Sequence, residues 1–346
     1  MKLYLTQDKI GTPTGGGAVT YHEYKALGTL GGELHPVDST RVPGQFDPFV
    51  WDGMFANMIL SMPLKIEMAH IYAGCFSMTV RGLRERGTKV SYTAAAHDVG
   101  ESRKAFEDLG LQFNLPHLTE KPLWDRYVAG YLDADLVICP SLLSKACMES
   151  YGAKNVVVIP HGCDLPAKVA PAPKRFTVGY LGQAGPDKGL RYLFEAWRKL
   201  DLRDATLLIA GKNIDSALPL WRRYGGGNVR FMGFVESVST FYDNVSLYVQ
   251  PSVTEGFGIE VLEAMAHGRP VICSEGAGAR DMVKTGENGH RVPPRDAGAI
   301  ADMIMVHYED RELATKMAPA ARATAEAHTW ETIRGRYRAA WEKLFA

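Results

Sequence analysis

The chain has 346 residues, 46% of them apolar and 23% charged, a make-up that excludes a disordered chain and gives enough length for two cores. Its 39 basic and 39 acidic residues cancel, so no overall field draws it to nucleic acid or anionic lipid, although a local patch stays open. The totals favour chemistry on small molecules.

The chain opens with "KLYLTQ", a short alternating strand. A glycine loop at Gly15, Gly16 and Gly17 then leads into a helix marked by Val19, Tyr24 and Leu27. The next segment is dense in methionine, at Met54, Met58, Met62, Met68 and Met78. It reads as core packing, with an acceptor groove or a membrane contact as the alternative. Arg81, Arg84, Arg86 and Lys89 follow as a solvated face, or as a contact for a phosphate-bearing acceptor, an anionic membrane or nucleic acid. "GTKVSYTAAAHD", "DADLVICPS" and "AKNVVVIPHGCD" are continuous apolar runs of the kind that form parallel strands buried on both faces.

The proline- and alanine-rich "DLPAKVAPAPKR" has little to bury and reads as a linker. A second series of strands follows in "RFTVGYLG", "ATLLIAGK", "NVRFMGF", "VSLYVQPS" and "PVICSE", separated by helical patterns such as "LRYLFEAWRKL". The expected fold is α/β, with two Rossmann-like doubly wound domains, residues 1–165 and 166–328, facing a central cleft. Residues 329–346 form an amphipathic helix with Trp330, Ile333, Tyr337, Trp341 and Leu344 on one face, expected to cross back to the first domain. The five cysteines, Cys75, Cys139, Cys147, Cys163 and Cys273, contain no Cys-x-x-Cys pair and point to reduced thiols and a cytoplasmic location. No apolar run reaches the ~20 residues of a spanning helix, so at most a peripheral membrane contact is expected.

The stretch "QPSVTEGFGIEVLEAMAHGRPV" carries the most chemistry. A helix starting near Gly258 presents unpaired N–H groups and the positive end of its dipole, which suits an anion such as a diphosphate. Gly256 and Gly258 allow close approach to the backbone, with Phe257 held between them. Glu255 stands just before the helix and Glu263 about two turns in, and carboxylates accept the paired donors that sugar hydroxyls present. The plainer reading makes Glu255 an N-cap and Glu263 a solvated helix position.

The Glu-x7-Glu spacing after a strand ending in "PS", followed by "EAMAHGRPVICSEGAGARDMVKTGENGHRVPP", resembles the donor-binding signature of retaining glycosyltransferases of GT-B fold, family 4 (group 1). "VIPHGCD", "GYLGQAGPDKGL" and the closing aromatic helix extend the likeness over the second half and parts of the first. The resemblance implies transfer of a sugar from a nucleotide-diphosphate sugar to an acceptor hydroxyl with retention, with no metal and no cofactor beyond that co-substrate. It implies that Glu255 holds the donor sugar, Glu263 the ribose, and Lys188 of "PDKG" the diphosphate, with Gly256, Phe257, Gly258 and Ile259 against phosphate or sugar. It further implies donor contacts at Gly16 and Gly17, at His97 beside the sugar with Asp98 next to it, and at Phe234 and Val235 beside the base. The family's usual arginine is replaced by Gln183, which brings an amide and no charge; Lys212 is a candidate substitute.

"DAD" at Asp133 to Asp135 lies at a helix-to-strand junction and does not read as a metal site. The acceptor stays open between a saccharide, a lipid-linked molecule and nucleic acid. A nucleotide-sugar epimerase of the same architecture, and a catalytically silent sugar-nucleotide-binding protein, are the alternatives. The lack of Gly-x-Gly-x-x-Gly directly after the first strand argues against a nicotinamide dehydrogenase.

Overall fold

A computed structural model of the chain describes residues 1–6, 10–11, 15–38, 48–63, 65–94, 98–113 and 120–345. In chain order the first half runs β1 (Lys2–Thr6), α1 (Gly15–Gly28), β2 (Leu34–Val37), α2 (Pro48–Leu60), β3 (Met68–Tyr72), α3 (Ser77–Glu85), β4 (Lys89–Thr93), α4 (Val99–Glu107), α5 (Lys121–Leu132), β5 (Leu136–Cys139), α6 (Leu142–Ser150) and β6 (Val156–Val158). The second runs β7 (Phe176–Leu181), α7 (Leu190–Leu200), β8 (Ala205–Ala210), α8 (Leu218–Tyr224), β9 (Val229–Gly233), α9 (Val238–Tyr242), β10 (Leu247–Gln250), α10 (Ile259–Ala266), β11 (Val271–Ser274), β12 (Gly289–Val292), α11 (Ala297–Glu309), α12 (Leu313–Glu326) and α13 (Trp330–Phe345). Over their described residues these form two compact units, one of Met1–Ala96, Asn114–His161 and Trp330–Ala346, the other of His97–Phe113 and Gly162–Thr329.

The first unit is built on a parallel sheet of order β2-β1-β3-β4-β5-β6. Strand alternation sends Leu3 and Leu5 into a core with Phe55, Ile59, Phe76, Val80 and Leu83, while Tyr4 faces the other way. There, wholly buried Glu23 of α1 accepts hydrogen bonds from the Tyr4 hydroxyl (2.8 Å) and the Thr93 hydroxyl (2.7 Å) and pairs with His70 of β3 at 3.2 Å. Burial opposes the Glu23 charge, yet His70 and the hydrogen bonds outweigh it and hold the carboxyl below its usual range. Trp341 of α13 covers His70 edge-on, with ring centres 4.9 Å apart, and Tyr337 lies beside it. This is why the aromatic face of the last helix is buried: Trp330, Ile333, Tyr337 and Trp341 are all inside, while Leu344 is half-buried.

Three strands were not expected from the sequence. β2 contains Pro36, and β12 consists of only Gly289–Val292; both lie at sheet edges, where proline and short strands are tolerated. β3 is hidden in the methionine-rich segment because its residues, Met68–Tyr72, contain only one β-branched side chain, Ile71. Of the methionines, Met68 is buried and Met58 packs against the core, whereas Met54 and Met78 are exposed. The glycines Gly15, Gly16 and Gly17 form the first turn of α1 rather than a loop before it. Arg81, Arg84, Arg86 and Lys89 are exposed, as a solvated face should be. Asp133 caps α5, and Asp135 accepts the Val90 N–H at 2.9 Å.

The second unit has a parallel sheet of order β12-β11-β10-β7-β8-β9, covered by α7 and α11 on one face and by α10 and α12 on the other, which makes it doubly wound. Asp98 caps α4, accepting the Glu101 N–H at 3.0 Å. Among the described residues no helix is long and apolar enough to cross a membrane.

Burial makes three histidines reluctant to charge. It pushes His161 and His307 down to about 4, and His290, whose ring centre lies 5.2 Å from that of His307, is also lowered. Unfolded histidine titrates near about 6.5, so between about pH 6.5 and about pH 4 the unfolded chain binds more protons than the folded one. Stability should therefore fall as pH drops through that window, by on the order of 2–3 kcal/mol for each of His161 and His307. Urea unfolding at a series of pH values measures this, and His307→Leu should flatten the slope; an unchanged slope would count against the assignment.

Candidate active site

The strand order of the second unit reverses between β7 and β10, which are neighbours although far apart in sequence. Open α/β sheets bind ligands beyond the carboxyl ends of their strands at such a reversal. The segments leaving β7, β10 and β11 converge there.

After β7 the chain turns through a 3-10 segment, Pro186–Lys188, that ends at Gly189 with φ 69°. A Cβ at Gly189 would lie 2.0 Å from the carbonyl oxygen of Pro251, so only glycine lets this turn touch the strand-end of β10. The Asp187 carbonyl accepts the Val253 N–H at 2.7 Å and reinforces the contact. Together these place Lys188 against Glu255, and the two form an ion pair.

Tyr248, Gln250 and Ser252 point the same way because they alternate along β10 and its extension. The Tyr248 hydroxyl donates to Gln250 Oε1 at 2.5 Å; Gln250 Nε2 then donates to Glu255 Oε2 and to Ser252 Oγ, each at 2.8 Å. Ser252 Oγ donates to Glu255 Oε2, also at 2.8 Å. The Glu255 backbone is fixed by the segment after β11: its N–H donates to the Gly276 carbonyl (2.9 Å) and its own carbonyl accepts the Gly278 N–H (3.1 Å). Glu255 is thus oriented from both sides and does not cap α10, which begins at Gly258 with φ 93° and no side-chain cap.

Phe257 is buried and its carbonyl accepts the Ala279 N–H at 2.7 Å, while Gly256 and Ile259 are half-buried beside it. On α10, Glu260 and Glu263 are three residues apart and share a face. Burial pushes Glu263 up to about 7 against the Tyr242 hydroxyl, which donates to Glu263 Oε2 at 3.2 Å and to the Glu260 carbonyl at 3.0 Å. Burial, and next the charge of Glu255, raise Glu260 to about 8. Burial opposes the Lys188 charge, but Glu255, Glu260 and Asp187 keep its ammonium protonated well above the usual lysine range.

The structure therefore brings Lys188, Glu255, Gly256, Phe257, Gly258, Ile259 and Glu263 together. Gln183 follows β7; its side chain is exposed and its carbonyl accepts the Tyr180 hydroxyl at 2.5 Å. Phe234 is exposed just after β9 with Val235 packed on the core beside it, and Lys212 is exposed after β8. Gly16 and Gly17 lie in the first unit, in α1. His97 lies outside the described residues. Sequence reasoning missed Gln250, Ser252, Tyr248 and Glu260. The first three were visible as polar residues at alternate positions of an apolar strand, and Glu260 as an acid in the first turn of an otherwise apolar helix.

Solved structures resemble the chain along its whole length. A sucrose-phosphate synthase from Thermosynechococcus elongatus matches with TM-score 0.79 and 20% identity over 99% of both chains. Anabaena HepE in complex with UDP-glucose matches with TM-score 0.72 and 18% identity over 99% of this chain and 100% of the other. The fold is GT-B, that of a large class of glycosyltransferases. Residues 175–310 match the family described as Glycosyl transferases group 1, and this part of the chain, which holds the site, is a group 1 glycosyltransferase domain. Phosphatidyl-myo-inositol mannosyltransferase of Mycobacterium leprae is 29% identical over 202 residues, 54% of this chain and 53% of that protein. O-antigen chain mannosyltransferase B of Escherichia coli is 29% identical over 206 residues, 53% of each. The chain thus spans about half the length of these curated relatives.

Gly189→Ala should cost roughly 2–4 kcal/mol, because it strains a left-handed backbone and drives a methyl into the Pro251 carbonyl. Thermal unfolding reads this out, and an unshifted midpoint would mean that the two loops are not in contact.

Proposed function

We propose that the protein is a nucleotide-sugar-dependent glycosyltransferase whose donor site is the strand-end pocket around Lys188, Glu255 and Glu263. The observation that carries this reading is the Lys188–Glu255 pair beside the uncapped start of α10. An ammonium has three N–H donors, and among the described residues one is directed to Glu255, which suits Lys188 to hold a phosphate oxygen as well. The start of α10, which has no side-chain cap, adds the positive end of a helix as a second anion-binding element. Glu255, held rigid by Gln250 and Ser252, is suited to accept hydroxyls of the donor sugar, and Glu263 those of the ribose.

Transfer is proposed to occur with retention and without a metal. The acceptor oxygen forms its bond to the anomeric carbon on the side from which the diphosphate leaves. The proton of that hydroxyl passes to a departing phosphate oxygen, and the bond from the anomeric carbon to the diphosphate breaks with its electron pair. Negative charge grows on the leaving group, so Lys188 binds the transition state more tightly than the ground state. The mannosyltransferase relatives make a mannosyl donor the first to test, with a lipid-linked or saccharide acceptor.

Lys188→Ala should lower release of nucleoside diphosphate from the cognate nucleotide sugar by about a hundred- to a thousandfold while the fold is kept. Mass spectrometry of a nucleotide-sugar panel, with and without acceptor extracts, measures it. Full turnover by that variant would defeat the reading; donor isomerisation without acceptor would replace it with an epimerase, and intact donor throughout with a binding protein.

A further inference from the structure

The donor site proposed above contains one acid too many for an anionic ligand. Lys188 and Glu255 neutralise one another as an ion pair, and Gln183 adds no cation. Glu260 then stands second in α10, half-buried, where the backward tilt of helical side chains carries it toward the open amino end of the helix. It lies within charge range of Glu255 from the loop after β10, Lys188 from the 3-10 turn and Glu263 of its own helix. Tyr180 of β7 and Tyr248 of β10 also feel its charge. An ionised Glu260 would face the diphosphate with Lys188, already paired to Glu255, as the cation shared among them, and like charges in one pocket push the proton back on.

Resting on the reading of this pocket as a donor site, we propose that Glu260 is a donor-binding residue that works as a neutral carboxylic acid: it takes a proton from solvent as the nucleotide binds and donates its O–H to a phosphate oxygen. The neutral acid supplies a hydrogen bond at a site where an arginine is lacking and an ionised carboxylate would repel. Burial and the charge of Glu255 raise its proton affinity to about 8, so the acid is mostly protonated at neutral pH and its uptake of a proton on binding shows in the alkaline range. Of the groups around it, Lys188, Tyr180 and Tyr248 stay protonated above that range, and Glu263, at about 7, titrates below it. Glu260, raised by burial and by the neighbouring charge of Glu255, is thus the acid of this cluster expected to titrate in the alkaline range.

The test is titration calorimetry of the full chain with UDP, GDP, ADP and TDP as probes. It is run near about pH 9 in two buffers of different ionisation heat, with dissociation constants followed from about pH 8 to about pH 9.5. At about pH 9 the wild-type protein should take up close to one proton per nucleotide bound, and its affinity should fall by roughly fifteenfold from about pH 8 to about pH 9.5. Glu260→Gln, which mimics the protonated acid, should show no uptake, a flat profile and about tenfold tighter binding than wild type near pH 9. Glu263→Gln should keep the uptake. Binding without proton uptake, or weaker binding by Glu260→Gln throughout, would overturn the role of Glu260 and leave the donor site standing. Failure of every nucleotide to bind would overturn both.

Discussion

The ion pair between Lys188 and Glu255 joins two loops that leave neighbouring strands of one sheet in the middle of the second unit. Taking a carboxylate and an ammonium out of water is costly, and their attraction repays that cost only when the remaining hydrogen-bonding capacity is met. Here Gln250 and Ser252 bind the second carboxylate oxygen, and Tyr248 fixes Gln250 in turn. An apolar pair of the same volume would be no less stable by this reasoning, so the charges are better explained by what they face than by what they hold together.

The first unit contains an instructive contrast. Glu23 and His70 also form a buried pair, but both side chains are wholly inaccessible and are closed over by Tyr4, Thr93 and Trp341. That pair ties α1, β1, β3, β4 and the last helix into one core. Lys188 and Glu255 keep 24% and 13% of their side-chain surface, at the carboxyl ends of strands rather than inside a helix–sheet layer. The difference separates a charge pair that specifies packing from one that can meet a ligand.

Much of this was legible in the sequence because buried parallel strands leave continuous apolar runs, as in "ATLLIA" and "FTVGYL", and because a glycine-flanked acid before a helix has few structural uses. The edge strands were not legible: Pro36 breaks the pattern of β2, and β12 is too short to show one. Nor was the grouping of α4 with the second unit, which depends on contacts such as that of the Asp98 N–H with the Thr254 hydroxyl at 3.2 Å, far apart along the chain. In the site, Glu255, Glu263 and Lys188 stand out by spacing and by likeness. The support around them does not, because a glutamine and a serine on a strand signal nothing until the strand's neighbours are known.

Charge balance links the two departures of this site from the common pattern. Gln183 brings an amide where the resemblance implies a cation, and Glu260 adds an acid within charge range of Lys188. Taken singly, each weakens the case for an anionic ligand. Taken together they are consistent with a site that recognises phosphate through neutral donors, an amide and a protonated carboxyl, with a single ammonium and the helix start supplying the positive potential. Neutral donors bind an oxyanion less strongly than a guanidinium does. A neutral acid answers to pH where arginine cannot, because arginine holds its proton at every pH the protein meets. On the proposed role of Glu260, such a site would release its nucleotide more readily than one built on arginine, with an occupancy that follows the proton concentration around it.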